Sequence, residues 1–118
     1  MEQEIIIKKV TSHEDYLAFV KFPFILYKNN PFWVPPIINE EVETIDHKIN
    51  PVYQNSSAHF FLAYKKEKIV GRIAAIINWI EIEEIKKNKV RFGWYDVIDD
   101  IAVSKLLLEQ VVCFGKEH

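Results

Sequence analysis

Residues 60–78, which run Phe-Phe-Leu-Ala-Tyr-Lys-Lys-Glu-Lys-Ile-Val-Gly-Arg-Ile-Ala-Ala-Ile-Ile-Asn, constrain the fold more than any other stretch. They read as two β-strands, 60–64 and 69–77, joined by a charged turn from Lys65 to Lys68. Aromatic and β-branched side chains suit a half-buried pleated surface, and a short polar break between two such runs predicts a hairpin. A charged stretch follows, then a third run of strand character at 91–98, then an apolar-faced helix at 100–114. Strand, turn, strand, connection, strand, helix predicts an α+β domain layered around a central, mostly antiparallel sheet.

Composition enters mainly by what it excludes. At 118 residues the chain is the size of one domain, and 49% hydrophobic residues against 27% charged supply a core. A net charge of −2, with Lys and Arg interleaved among Asp and Glu, is not the basic field that grips phosphate backbones, so no nucleic-acid partner is expected. The start, Met1-Glu-Gln-Glu, is acidic rather than a secretory leader. No apolar run approaches the roughly 20 residues that span a bilayer, so no membrane role is expected. The lone cysteine, Cys113, can form no disulfide within the chain; it reads as a small hydrophobe of the last helix, and a cytoplasmic protein is predicted. His13, His47, His59 and His118 lack metal-ligand spacing, which predicts no metal site.

The N-terminal half opens with a strand-like run at 5–10. A helix then starts at Thr11 or Ser12, where Thr11 with Glu14 or Ser12 with Asp15 fits a capping box. Tyr16, Leu17, Phe19 and Val20 give this helix its apolar face, and Pro23 predicts a kink or a fresh start. The segment Asn29-Asn-Pro-Phe-Trp-Val-Pro-Pro36 is a rigid loop whose Phe32 and Trp33 are expected to pack on the sheet. Residues 37–45 form an acidic helix, 46–58 a polar loop, and 81–88 a charged exposed connection. In the last helix Val103, Leu106, Leu107, Val111 and Phe114 recur at helical spacing, widened by Leu108, Val112 and Cys113. Gly115 is the expected C-cap.

Three segments in this order, Asn30-Pro-Phe-Trp-Val-Pro-Pro36, Gly71-Arg-Ile-Ala-Ala-Ile-Ile-Asn78 and Phe92-Gly-Trp-Tyr-Asp-Val-Ile-Asp-Asp100, carry a resemblance. The chain resembles the N-terminal half of a GNAT-type N-acetyltransferase domain, and more narrowly a bacterial subgroup of uncharacterised GNAT-like proteins. The resemblance implies a GNAT-like (acyl-CoA N-acyltransferase) α+β fold that ends after its third main helix. The chain is then either a natural truncation or one piece of a longer protein. It also implies acetyl-CoA or another acyl-CoA as acyl donor and an amine as acceptor. By family position Val97, Ile98 and Ser104 would face the donor, with β-strand amides near Val97 and Ile98 stabilising the oxyanion.

Two departures from the family pattern matter chemically. The family holds the pyrophosphate of acetyl-CoA on free amides at the start of the helix after the fourth strand, through a Gly-rich loop. Here that stretch reads Val97-Ile-Asp-Asp-Ile-Ala-Val-Ser104, without Gly or Arg, and Asp99 or Asp100 would itself cap the helix. The second departure is that the chain stops where the family continues into further strands. Asp96 and Asp99 are the candidate catalytic carboxylates, as bases on the amine directly or through water. The competing expectation makes Asp99 and Asp100 helix-cap charges and Asp96 an exposed strand residue. The rival to an enzyme is a non-catalytic interaction module: a wide apolar helix face and a bare sheet edge predict a homodimer or docking with a separate C-terminal half.

Overall fold

The computed structural model describes residues 4–35, 37–45, 56–79 and 90–117. Four strands, β1 (Ile5–Lys9), β2 (Ser56–Lys65), β3 (Lys68–Asn78) and β4 (Arg91–Val97), form one antiparallel sheet in the order β1-β2-β3-β4. Among the described residues three helices accompany it: α1 (His13–Leu26), α2 (Ile38–Ile45) and α3 (Ile101–Glu117). The expected loop at 46–58 and the charged connection at 81–88 lie wholly or largely outside the described residues. Three residues of that loop, Ser56 to Ala58, belong instead to β2, which starts four positions before the aromatic run and pairs with β3 as far as Asn78.

Alternation along the hairpin explains why the sheet is covered on both faces. Successive strand side chains point to opposite sides. Phe60, Leu62 and Ala74 pack with Phe19, Val20, Val42 and Ile45, from α1 and α2. Phe61, Ala63, Ile73, Ala75 and Ile77 pack on the other face with Val103, Leu107, Val111 and Phe114 of α3. This double burial is why the hairpin reads as near-continuous apolar sequence instead of a clean in–out alternation.

Two irregularities break the ladder. Between the pairs Gly71↔Ala63 and Ile69↔Tyr64, β3 carries one extra residue, Val70. Between Arg72↔Asp96 and Ala74↔Gly93, the extra residue is on β4, where Trp94 and Tyr95 stand against Ile73 alone. Trp94 sits at a positive φ of 45°, an uncommon conformation for a bulky residue that accompanies the bulge.

One helix start falls as expected, and two expected breaks, at Pro23 and Gly115, do not. Of the two capping boxes, the one formed is Ser12 with Asp15: Asp15 N donates to Ser12 Oγ at 3.1 Å, and the Asp15 carboxylate accepts from the backbone of Thr11 and Ser12. Pro23 starts no new helix, since α1 runs through it and closes with Tyr27 N donating to Pro23 O at 2.8 Å. Gly115 is not a C-cap; α3 continues to Glu117, and a Cβ at 115 would come within 2.8 Å of Val90 Cγ1. Glycine there admits the approach of Val90. Cys113 is exposed, not buried. Its position is one residue from Phe114, which turns to the sheet, so helical rotation carries the thiol outward.

Candidate functional site

Asp96 is not the exposed strand residue that its position suggests. Its register partner on β3 is Arg72, and the two side chains meet on the α1–α2 face of the sheet. Arg72 Nε donates to Asp96 Oδ2 at 2.9 Å and Nη2 lies 2.8 Å from the same oxygen. Arg72 Nη1 donates to Phe19 O at 2.8 Å, and the guanidinium lies 4.8 Å from the Phe19 ring centroid. The other carboxylate oxygen, Oδ1, accepts from the Tyr27 hydroxyl at 2.6 Å. Burial pulls the Arg72 guanidinium below its usual pKa, while Asp96 and Glu41 oppose that pull. The hydrogen bond to Asp96, with burial behind it, raises the Tyr27 phenol above its ordinary value.

Aromatic rings frame this cluster. Trp33 packs edge-on against Phe24 and beside Tyr27, which docks this ring of the Pro-rich loop on the end of α1. Phe32, its neighbour, is 91% exposed. Trp94 Nε1 donates to Glu41 Oε2 at 3.1 Å, and its ring lies 5.8 Å from that of Phe60. The sequence does not single out Tyr27 or Glu41 for chemistry, and Gly71-Arg72 reads there as a strand feature in preference to a phosphate site. One signal was there: an arginine inside an apolar strand needs a partner, and Asp96 is the acid in the neighbouring strand.

The β4–α3 junction forms an open hollow of about 490 Å³ lined by Val97, Ile98, Asp99, Asp100, Ile101 and Ser104. The three residues expected to face an acyl donor are therefore together here. Their donors and acceptors are partly committed, however. Ile98 N donates to Val70 O at 3.0 Å, so that amide serves the sheet. Successive strand amides point to opposite edges, which turns the Val97 amide away from β3. Ser104 Oγ hydrogen-bonds the Tyr95 hydroxyl. Asp99 is exposed and has no partner among the described residues.

Asp100 caps α3. Its Oδ1 accepts from Ala102 N at 3.0 Å, and Val103 N also donates to the carboxylate. Its Oδ2 is paired with Lys65 Nζ, from the end of β2. The hydrogen bond from Lys65 holds the carboxyl below its usual pKa; desolvation opposes it, and the first-turn amides of Ala102 and Val103 add to the lowering. A coenzyme A diphosphate on these amides would have to displace one carboxylate and lie beside another. No glycine between 97 and 104 opens the backbone to it. The residues present do not fit that group at this place.

Among the described residues no cluster of three His, Cys, Asp or Glu side chains could hold a metal ion, and no helix is long and apolar enough to cross a membrane.

No family profile matches the chain. Over 95 residues, 80% of its length, it is 35% identical to protein YghO of Escherichia coli (strain K12), and this match covers 24% of that protein. Over 90 residues, 75% of its length, it is 29% identical to bacterial ceramide synthase of Caulobacter vibrioides (strain NA1000 / CB15N), covering 23% of that protein. The chain thus spans about a quarter of the length of the curated relatives it matches. A solved acetyltransferase of the GNAT family from Staphylococcus aureus Mu50 superposes with a TM-score of 0.60 at 23% identity, over 97% of this chain and 67% of that one. At that identity the likeness shows the fold: a GNAT-like α+β sheet with flanking helices.

Proposed function

We propose that the chain takes part, in the cytoplasm, in transfer of an acyl group from an acyl thioester such as acyl-CoA to an amine. The observation that carries this reading is the acetyltransferase-like fold over 97% of the chain. The likeness to a protein named for ceramide synthesis supports it, because a ceramide is an amide and its formation joins an acyl carbon to an amine nitrogen. Fold by itself does not fix function; the chemistry rests on the residues at the end of β4.

In this reading the reaction occurs in the hollow at the end of β4. The amine nitrogen attacks the thioester carbonyl carbon, and the carbonyl electron pair moves onto oxygen. The outward amide of Val97 donates to that oxyanion. Asp99, which has no partner among the described residues, takes the proton that the nitrogen sheds, directly or through water. Collapse re-forms the carbonyl and breaks the C–S bond, and the leaving thiolate takes a proton from solvent. Asp96 has both oxygens engaged by Arg72 and Tyr27. Its role is positioning: it fixes the end of β4 against α1. The thioester is a substrate, held by contacts other than the first-turn amides of α3.

The test is amide formation, followed by mass spectrometry, with a panel of acyl thioesters and amines. Amide product from the wild-type chain is expected, with Asp99→Asn slower by about 10²–10⁴-fold. No product from any combination would sink the reading.

The second reading, an interaction module, has its own observation. Ile101 is 87% and Val112 52% exposed along one side of α3, and β4 pairs only with β3 among the described residues. Pairing of two chains, or docking of a separate partner segment, would cover both. Sedimentation that finds a monomer at high concentration, unchanged in the presence of its relatives' remaining segments, contradicts it.

A further inference from the structure

We infer that Lys65 and Asp100 are a built-in occupant of the anion-favouring end of α3, and that this end takes no diphosphate. The inference stands apart from the acyl-transfer reading, since a thioester can be held by its acyl and thiol portions without this end of the helix.

Lys65 pairs with Lys68 across a two-residue turn in which Lys66 and Glu67 have φ of 48° and 65°. Positive φ at both central residues matches the twist of a tight hairpin, so the turn fixes where Lys65 leaves the sheet. From there its ammonium reaches the carboxylate of Asp100. Asp100 in turn is fixed from both sides of its backbone: its N donates to Ile98 O at 2.7 Å, and its O accepts from Ser104 N at 3.2 Å. A helix start offers free amides and a partial positive charge, which is what an anion needs. Here an anion of the chain supplies that need, and a cation of the chain neutralises the anion. Asp99, exposed beside it, adds a second negative charge facing any incoming phosphate.

The consequence is measurable without turnover. Inorganic pyrophosphate and coenzyme A are titrated separately into the full chain while the backbone amide signals of Ala102 and Val103 are followed by NMR. Neither ligand is expected to move these signals saturably in the wild type. In Asp100→Ala, with amides and Lys65 both released, pyrophosphate is expected to shift them and to bind at least about tenfold tighter than to the wild type. Asp100→Ser keeps a capping oxygen without the charge and replaces Asp100→Ala if loss of the cap prevents folding. Saturable movement of the wild-type Ala102 and Val103 signals overturns the inference. So does a folded, charge-free variant whose amides ignore pyrophosphate, because Asp100 would then not be what closes the site. Amide synthesis can succeed or fail in the separate assay under either result.

Discussion

The Arg72–Asp96 pair makes a sharp prediction because its side chains are only 9% and 16% exposed. Asp96→Asn keeps the shape and removes the charge, so no cavity confuses the result. The guanidinium then stays in place with Phe19 O and the Phe19 ring but without its counter-charge. An exposed ion pair is worth about 0.2–1 kcal/mol, whereas removing one partner of a buried pair costs about 3–5 kcal/mol. This pair is nearer the second limit but not wholly dry, which places the expected loss at about 2–4 kcal/mol. Tyr27→Phe provides the internal comparison. It deletes one hydrogen bond to the same carboxylate and is expected to cost about 0.5–1.5 kcal/mol. Urea unfolding with linear extrapolation reads both. Adding Arg72→Met to Asp96→Asn removes the stranded charge, so the double variant should lose less than the sum of the singles by about 1–3 kcal/mol. An Asp96→Asn loss below about 0.5 kcal/mol, or a strictly additive double variant, would refute the claim that this is a buried, mutually dependent pair.

Other outcomes follow from single contacts. Gly71→Ala puts a Cβ within 2.8 Å of Leu107 Cδ1 and 3.2 Å of Val103 and Val97 methyl carbons, so an overpacking loss of about 1–3 kcal/mol is expected in the same unfolding assay. Leu107→Ala empties a fully buried position under α3 and should cost about 2–5 kcal/mol. Burial acts to raise the Asp15 pKa, but hydrogen bonds from Lys8, Thr11 and Ser12 outweigh it and leave the group below 3.8. Its folded pKa lying below the unfolded one, its stabilising contribution is present above pH 3.8 and is lost as pH falls through the folded value. Lys8→Met should therefore flatten the acid side of the stability profile; an acid limb identical to wild type would show that the Lys8 contact does not matter.

The hairpin was legible because burial on both faces writes itself into sequence as a run of Phe, Leu, Ile, Val and Ala. The α3 core positions were legible for a similar reason, since Val103, Leu107, Val111 and Phe114 keep helical spacing. An aspartate cap followed from local chemistry, which left Asp99 and Asp100 both open; the structure picks Asp100. What failed locally was the exact turn of a helix: Cys113 and Val112 extend the apolar run but rotate outward, and Gly115 was punctuation by rule yet a close approach in fact. The Lys65 partner of Asp100 lies 35 residues away, and the Tyr27 partner of Asp96 lies 69 away. No short-range pattern encodes either distance, because only the packing of α1 and the hairpin on the sheet brings them together.

The candidate site depends most on something smaller than any of these elements, the extra residue in β4. Side chains alternate with a period of two, so a one-residue change of register reverses which face each presents. Counting back from Gly93 opposite Ala74 without a bulge would put Tyr95 opposite Arg72 and turn Asp96 toward α3. The guanidinium would then lose the carboxylate that hydrogen-bonds it, keeping Phe19 O, a phenol and the field of Glu41, and a carboxylate would face Leu107 and Val103. The bulge at Trp94 and Tyr95 instead carries Asp96 to Arg72 and leaves Tyr95 beside Ser104 on the opposite face. The positive φ of Trp94 carries a conformational cost of about 1–3 kcal/mol, less than the cost of two stranded charges. The irregular strand is thus the lower-energy one, and the same irregularity sets the direction in which Val97, Asp99 and Asp100 emerge at the mouth of the hollow.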